Sequence, residues 1–139
     1  MATFRQVHTS FWQDAFVLGL TPEEKYFYLY LMTNSKTTQC GIYELPKRLI
    51  EMETGYNRET VDKLLDRFIK YRKIIYNDQT QEIMLTNWIK HNPPKSEKIV
   101  KCIEKELQSV KDADFKKLLY TLCERYGYPI HTLSIPYGE

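Results

Sequence analysis

Residues 57–73 constrain the fold of this chain more than any other segment, because they read as a single amphipathic helix. Asn57 stands at the N-cap position, where its side-chain oxygen can accept a hydrogen bond from a backbone amide of the first turn. The apolar residues that follow recur at the spacing of one helical face: Val61, Leu64, Leu65, Phe68 and Ile69. A helix with one apolar stripe needs a core to cover that stripe, so a packed domain is predicted.

Two runs of β-branched and other apolar residues follow this helix. Residues 73–76 and 82–88 flank the polar stretch 77–81, which has the composition of a turn. The sequence therefore predicts a β-hairpin directly after the amphipathic helix.

An earlier helix begins at Thr21, which supplies a capping hydroxyl, with Pro22 at the first helical position and Glu24 placed to complete a capping box. Its body, residues 25–32, is apolar all round, so we expect cover on two sides. After a polar loop at 34–39, residues 41–45 read as a short strand. Pro46 then opens a helix over 47–54, which Gly55 ends.

The predicted elements follow the order of a winged helix, which is a helix-turn-helix elaborated by a two-stranded wing. That order is helix, short strand, helix, tight turn, helix and hairpin. We therefore predict a mainly α fold with a small β component. It should be a winged helix-turn-helix domain over residues 21–92, with an N-terminal helical extension and C-terminal helices.

The flanking segments carry their own expectations. Residues 1–20 should pack on the core or on a partner subunit, with Ser10 capping a short helix that contains residues 11–17. Pro93-Pro94 predicts a domain boundary, because two prolines continue neither a helix nor a central strand. Residues 93–139 should then form a helical appendage that begins with the two prolines and ends in an extended tail from Pro129. Each of its two predicted helices has an apolar stripe that must pack against another surface.

The net charge of +2 is small, but the charge is segmental. Residues 57–73 and residues 89–111 each carry six basic and three acidic side chains. If the 57–73 helix enters a DNA major groove, eight residues are candidates for DNA contact. Those nearest the bases are Asn57, Arg58, Thr60 and Lys63, and those nearer the phosphates are Arg67, Lys70, Lys47 and Arg48.

The same helix surface has a second interpretation. Glu59 with Lys63, and Asp66 with Lys70, are i, i+4 pairs of the favourable orientation, so this face can equally be a solvated, self-neutralised surface. In the predicted wing, Asp78 and Glu82 would repel phosphates. DNA contact is therefore expected to be weak, electrostatic and largely independent of sequence.

Aromatic residues make up 14% of the chain and concentrate in its first part. Aromatic side chains are enriched at the centres of protein interfaces, so six of them are candidates for self-association into a homo-oligomer. These are Phe4, Phe11, Trp12, Tyr26, Tyr28 and Tyr30. The alternative is that residues 1–20 close over their own helix.

Other classes of protein are not indicated. No signal peptide and no apolar run of membrane length is seen, so a cytoplasmic location without membrane contact is expected. The cysteines, Cys40, Cys102 and Cys123, have neither disulfide nor zinc-site spacing. No catalytic motif appears, so we expect a non-enzymatic protein without metal or cofactor.

Several segments, taken in order, resemble the N-terminal part of the DnaD-like replication initiation proteins. They are residues 4–8 (FRQVH), 11–12, 20–31, 41–43 and 54–61, together with the hairpin that ends at Asn87-Trp88. The resemblance covers roughly residues 4–110.

The resemblance implies a role in the initiation or restart of DNA replication in low-GC Gram-positive bacteria or their phages. In that family the winged-helix part mainly self-associates, and the proteins act at the primosome with the replicative helicase or a helicase loader. The family's C-terminal motif Tyr-x-x-x-Ile-x-x-x-Trp is absent here, which argues against autonomous DNA remodelling. The alternative function is a sequence-specific winged-helix transcription repressor.

Overall fold

The structure is a computed structural model, and it describes residues 3–130 as a mainly helical fold with one small antiparallel sheet. Most of the predicted tail, residues 131–139, lies outside the described residues. The elements in chain order are a 3-10 helix Thr9–Gln13, α1 Ala15–Leu18, α2 Pro22–Thr33, β1 Ile42–Glu44, α3 Lys47–Thr54, α4 Arg58–Lys70, β2 Ile74–Asn77, β3 Glu82–Leu85, α5 Trp88–His91, α6 Glu97–Ser109 and α7 Ala113–Tyr126.

Local signals placed the central helices correctly. The Thr21 hydroxyl accepts from the Glu24 amide and the Glu24 carboxylate accepts from the Thr21 amide, so the predicted capping box of α2 is confirmed. Gly55 ends α3 at φ 85°, and the Asn57 side chain accepts from the Thr60 amide at 2.9 Å. The strand before α3 and the hairpin after α4 are also confirmed.

The sheet has β3 in its centre, with β1 and β2 antiparallel on either side. Tyr43 of β1 and Tyr76 of β2 are both opposite Ile83, while Met84 is paired with Ile42 and Ile75. Because successive strand residues point to opposite faces, Ile83 and Leu85 enter one hydrophobic cluster and Met84 enters another.

The first core lies between one face of the sheet and helices α2, α3 and α4. Its fully buried members include Phe27, Leu31, Ile50, Val61 and Phe68. Ile69, predicted to join this stripe, is instead 37% exposed at the edge of α4. Trp88, predicted to end the second hairpin strand, begins α5, because β3 stops at Leu85.

The second core covers the opposite face of the sheet, where α6 and α7 pack. Ile103, Leu107 and Leu119 from these helices lie in one cluster with Ile42 and Met84 of the sheet. The apolar stripes of the two C-terminal helices thus pack against the sheet of the same chain. The division of the chain after residue 92 stays a prediction.

Two carboxylates fasten α6 and α7 to the rest of the fold. Glu82 of β3 is 4% exposed, and its oxygens accept from the amides of Lys111 and Asp112 at 2.8 and 2.9 Å. Glu106 of α6 accepts from the amides of Gln39 and Cys40, both at 3.0 Å. The expectation that Glu82 faces a phosphate from the wing is therefore wrong, because burial and two amide donors hold its carboxylate inside.

The N-terminal residues form two short helices rather than one. Ser10 lies inside the 3-10 helix, and Asp14 caps α1 by accepting from the Phe16 and Val17 amides. The predicted Ser10 cap is therefore wrong, since a carboxylate four residues later satisfies the amides of the helix instead. Val17 is 2% exposed and Phe16 packs against the first core, so this segment contributes to the fold.

Candidate nucleic-acid interface

The outward face of α4 is a stripe of alternating charges. Val61, Leu64, Leu65 and Phe68 face the core, which leaves Glu59, Lys63, Asp66 and Lys70 exposed on the opposite side. Neither Glu59–Lys63 nor Asp66–Lys70 closes to a direct ion pair in the described part of the chain. The predicted pair contacts are therefore not formed, although the two lysines still sit in the field of two carboxylates.

The start of α4 is occupied by contacts within the fold. The Asn57 oxygen caps the helix through the Thr60 amide, which leaves the Asn57 amide nitrogen as its outward donor. The Arg58 guanidinium pairs with Glu51 of α3. These contacts position the helix, and they occupy groups that a specific base contact would use.

Lys47 lies between α3, α4 and the hairpin, bracketed by acidic groups. Its Nζ is 2.8 Å from an Asp62 oxygen and 2.9 Å from an Asp78 oxygen, and it stands 5.6 Å from the centre of the Tyr76 ring. Hydrogen bonding to Asp62, and then to Asp78, raises the pKa of Lys47 above its usual value. Its positive charge is thus largely balanced locally, whereas the neighbouring Arg48 is exposed.

Arg67 lies on the other flank of α4, facing α2. Its guanidinium is 3.7 Å from a Glu24 oxygen that also accepts from the Tyr71 hydroxyl at 2.7 Å. Burial alone would raise the pKa of Glu24, but hydrogen bonds from Thr21 and Tyr71 outweigh it and hold that pKa below its usual value. Glu24 is therefore a carboxylate at neutral pH and attracts Arg67 toward the fold.

The eight candidate DNA-binding residues therefore fall into two groups. One group takes part in helix caps or ion pairs and consists of Lys47, Asn57, Arg58, Thr60 and Arg67. The other group is exposed to solvent and consists of Arg48, Lys63 and Lys70. Such an arrangement can attract a phosphate backbone through a few exposed side-chain cations. It offers few preorganised donor pairs for reading base edges.

The six aromatic candidates for self-association lie in three environments rather than one layer. Tyr28 packs on Phe11 and on Phe68 of the first core, with ring centroids 5.9 and 5.4 Å apart. Tyr26 and Tyr30 face α3, where their hydroxyls donate to the Thr54 carbonyl and the Glu53 carboxylate. Phe4, Trp12 and Tyr26 are 76%, 52% and 46% exposed, so these three keep surface that a partner could cover.

A cleft that the sequence reasoning missed lies between the N-terminal segment, α2, α5 and the end of β3. Its lining includes Trp88 and Leu85 together with the polar groups of His8, Lys73 and His91. No periodic pattern marks these residues, because they come from parts of the chain that are far apart in the sequence. Among residues 3–130, no group of three or more His, Cys, Asp or Glu side chains is arranged to hold a metal ion.

Comparison of the chain with protein-family models, with curated proteins and with solved structures found no match. Within residues 3–130, no helix is both long enough and apolar enough to cross a membrane. The function proposed below therefore rests on this chain's own residues and on the sequence resemblance described above.

Proposed function

We propose that this chain is a non-enzymatic winged-helix scaffold of DNA replication, which binds DNA weakly and joins protein subunits. The elements α2, β1, α3, α4, β2 and β3, with the sheet order β1-β3-β2, follow the order of a helix-turn-helix with a two-stranded wing. The replication role and a helicase or helicase loader as partner are supported by the resemblance to the DnaD-like initiation proteins.

The observation that carries the DNA part of the proposal is the charge pattern around α4. Lys63, Lys70 and Arg48 are exposed, while Lys47 is held by two carboxylates and Arg67 by one. A surface of this kind binds phosphates through counterion release rather than through base contacts. It favours sequence-independent binding over the sequence-specific repressor.

Replacing Lys63 and Lys70 together with alanine should weaken binding to every duplex to a similar extent. Each lost phosphate contact lowers the slope of log affinity against log salt by about 0.9, so the double variant should flatten that slope by about 2. Fluorescence anisotropy with two unrelated 30-base-pair duplexes, each at low and physiological salt, measures both quantities.

The matched control for this experiment is K117A with R125A, which removes two exposed cations from α7 and should leave the slope unchanged. An unchanged slope in the Lys63 and Lys70 variant would exclude α4 as the contact surface. A preference of about a thousandfold or more for one duplex over random DNA would favour the repressor instead.

Removing the two exposed aromatic side chains of the N-terminal segment should weaken self-association. Phe4 is 76% exposed, and Trp12 is 52% exposed with an edge contact to Phe11, so F4A with W12A should leave the core intact and raise the dissociation constant of the oligomer about tenfold or more. Sedimentation velocity over a wide concentration range measures this change.

Met52 provides the control, because it is 73% exposed and belongs to α3 rather than to the N-terminal segment, and M52A should not alter self-association. A wild-type protein that remains monomeric at every concentration would refute the assembly part of the proposal.

A further inference from the structure

The outward face of α6 carries a row of positive charges outside the α4 surface described above. Six exposed residues share this face at helical spacing, and none is acidic: Lys98, Lys101, Cys102, Lys105, Gln108 and Ser109. The opposite face contains Ile103 and Leu107, which are buried in the second core. The lysines at positions 98, 101 and 105 are called the α6 stripe below.

Two of the three carboxylates of α6 are directed into the fold rather than toward the stripe. Glu106 accepts from the amides of Gln39 and Cys40, so its charge is held against the loop before β1. Glu104 is partly buried, and its charge acts on Tyr120, whose pKa is raised by burial and then by Glu104. Neither carboxylate therefore alternates with the exposed lysines, as the acidic residues of α4 do.

The third carboxylate, Glu97, neutralises only part of the stripe. Its oxygen lies 3.6 Å from the Lys101 ammonium, but both side chains are largely exposed, so water and salt weaken the pair. Lys98 and Lys105 form no ion pair with any residue between 3 and 130. The α6 stripe thus has a net positive charge that the rest of the described chain does not balance by direct contact.

The spacing of the stripe suits a polyanion. A rise of about 1.5 Å per residue separates Lys98 and Lys105 by about 10 Å along the axis of α6. Duplex DNA carries one negative charge per about 1.7 Å of its axis, so a comparable length of duplex presents about six charges. A lysine ammonium contacts phosphate as a point charge on a flexible stem, so it needs no exact alignment with the backbone.

The uncharged part of this face favours a duplex over other anionic partners. No large apolar or aromatic side chain of α6 is exposed. A helix that lies on a membrane needs such side chains to enter the lipid, and a single-stranded nucleic acid needs aromatic rings on which its bases stack. Protein interfaces are depleted in lysine at their centres. A duplex presents its phosphates outward and requires none of these features.

We propose that the α6 stripe is a contact surface for the phosphate backbone of duplex DNA, separate from the surface of α4. Helix α6 packs on the opposite face of the sheet from α4, so the two surfaces are tested by different variants. The contact is electrostatic and independent of base sequence. This inference deepens the DNA binding proposed above, and it rests on that function for the choice of DNA over another duplex.

Cys102 reports directly on the occupancy of this face. It lies among the lysines of the stripe and is exposed, whereas Cys40 and Cys123 are buried. N-ethylmaleimide should therefore label the folded protein first at Cys102. Adding the duplex used for α4 at low salt should slow this labelling in proportion to the fraction of protein bound, and added salt should restore the rate. C102S with T121C moves the thiol to an exposed position of α7, where the duplex should give no protection.

Removing the two unpaired lysines of the stripe tests the contact by affinity. K98A with K105A should flatten the slope of log affinity against log salt by about 2, since each lost phosphate contact lowers it by about 0.9. K98R with K105R keeps both charges and should leave the slope unchanged. The matched control is again K117A with R125A, which removes two exposed cations from α7 and should have no effect.

The two DNA surfaces fail separately. An unchanged slope in K98A with K105A, or a duplex that leaves Cys102 labelling unaltered, would overturn this proposal even if the α4 variant flattens the slope. Loss in the α6 variant alone would support it and exclude α4.

The Cys102 measurement uses the unmodified protein, so it decides the matter if a lysine variant fails to fold by circular dichroism. Single-stranded DNA, duplex RNA and anionic lipid vesicles are the competing probes. Tighter binding of any of these than of duplex DNA, lost in K98A with K105A, would assign the stripe to that partner and overturn the proposal.

Discussion

Replacing Gly41 with alanine should lower the free energy of unfolding by about 2–5 kcal/mol, through a left-handed backbone and overpacking acting together. Gly41 has φ 83°, and an added Cβ would lie 2.7 Å from Cβ and 2.9 Å from Cγ of Trp88. Trp88 has little room to retreat, because it is 8% exposed and its indole nitrogen donates to the Gln39 carbonyl at 3.1 Å. Urea unfolding followed by circular dichroism measures the loss.

The same substitution at Gly55 separates the cost of the left-handed backbone from the cost of overpacking. Gly55 has nearly the same φ, 85°, but an added Cβ would meet nothing within 4 Å. G55A should therefore cost only the backbone strain, about 1–2 kcal/mol. Equal losses in G41A and G55A would contradict the close approach of Gly41 to Trp88.

Replacing Glu82 with alanine should lower the free energy of unfolding by about 3–5 kcal/mol, because two charge-assisted hydrogen bonds are lost and two part-buried amides are left without that acceptor. Those amides, of Lys111 and Asp112, stand at the entry to α7, and the Asp112 side chain also caps that helix. The loss should therefore loosen α6 and α7 from the sheet before the first core unfolds. E82Q keeps one acceptor oxygen and should lose less.

Thiol labelling measures this loosening directly. Burial, and then the charge of Glu106, raises the pKa of Cys40 to about 12, and burial raises that of Cys123 to about 11. Both thiols lie in the second core and should react slowly, whereas Cys102 is exposed. E82A should accelerate labelling of Cys40 and Cys123 without changing the exposed site.

Glu44 is the matched control, since it is directly opposite Glu82 in the β1–β3 register but is exposed. E44A should change the unfolding free energy by less than about 0.5 kcal/mol, as is usual for surface substitutions. If E82A were as mild as E44A, the two amide contacts would not hold α7 in place.

The elements that could be predicted from the sequence are those whose signals are local. The capping box at Thr21, the left-handed Gly55 and the Asn57 cap each depend on partners within four residues, which a linear pattern contains. The periodicity of α4 likewise placed Lys63 and Lys70 on the exposed face. These features specify where helices begin, where they end and which side is covered.

What escaped prediction depends on partners far apart along the chain. Glu82 looked like a wing residue because its acceptor role involves amides 29 and 30 positions away. The neutralisation of Lys47 needs Asp62 and Asp78 from two other elements, and the cleft around Trp88 needs the N-terminal segment. Only the folded arrangement brings such groups together, so a pattern of residue types does not contain them.

The two-sided cover of the central strand has a practical consequence for anyone who shortens this chain. A fragment that stops at Asn92 retains β3 but lacks the helices over Met84, Ile42 and Ile89, so an apolar sheet surface would meet water. Such an exposed apolar surface promotes aggregation during expression. The pair Pro93-Pro94 is therefore an unsuitable site for truncating the chain, although the sequence predicts a boundary there.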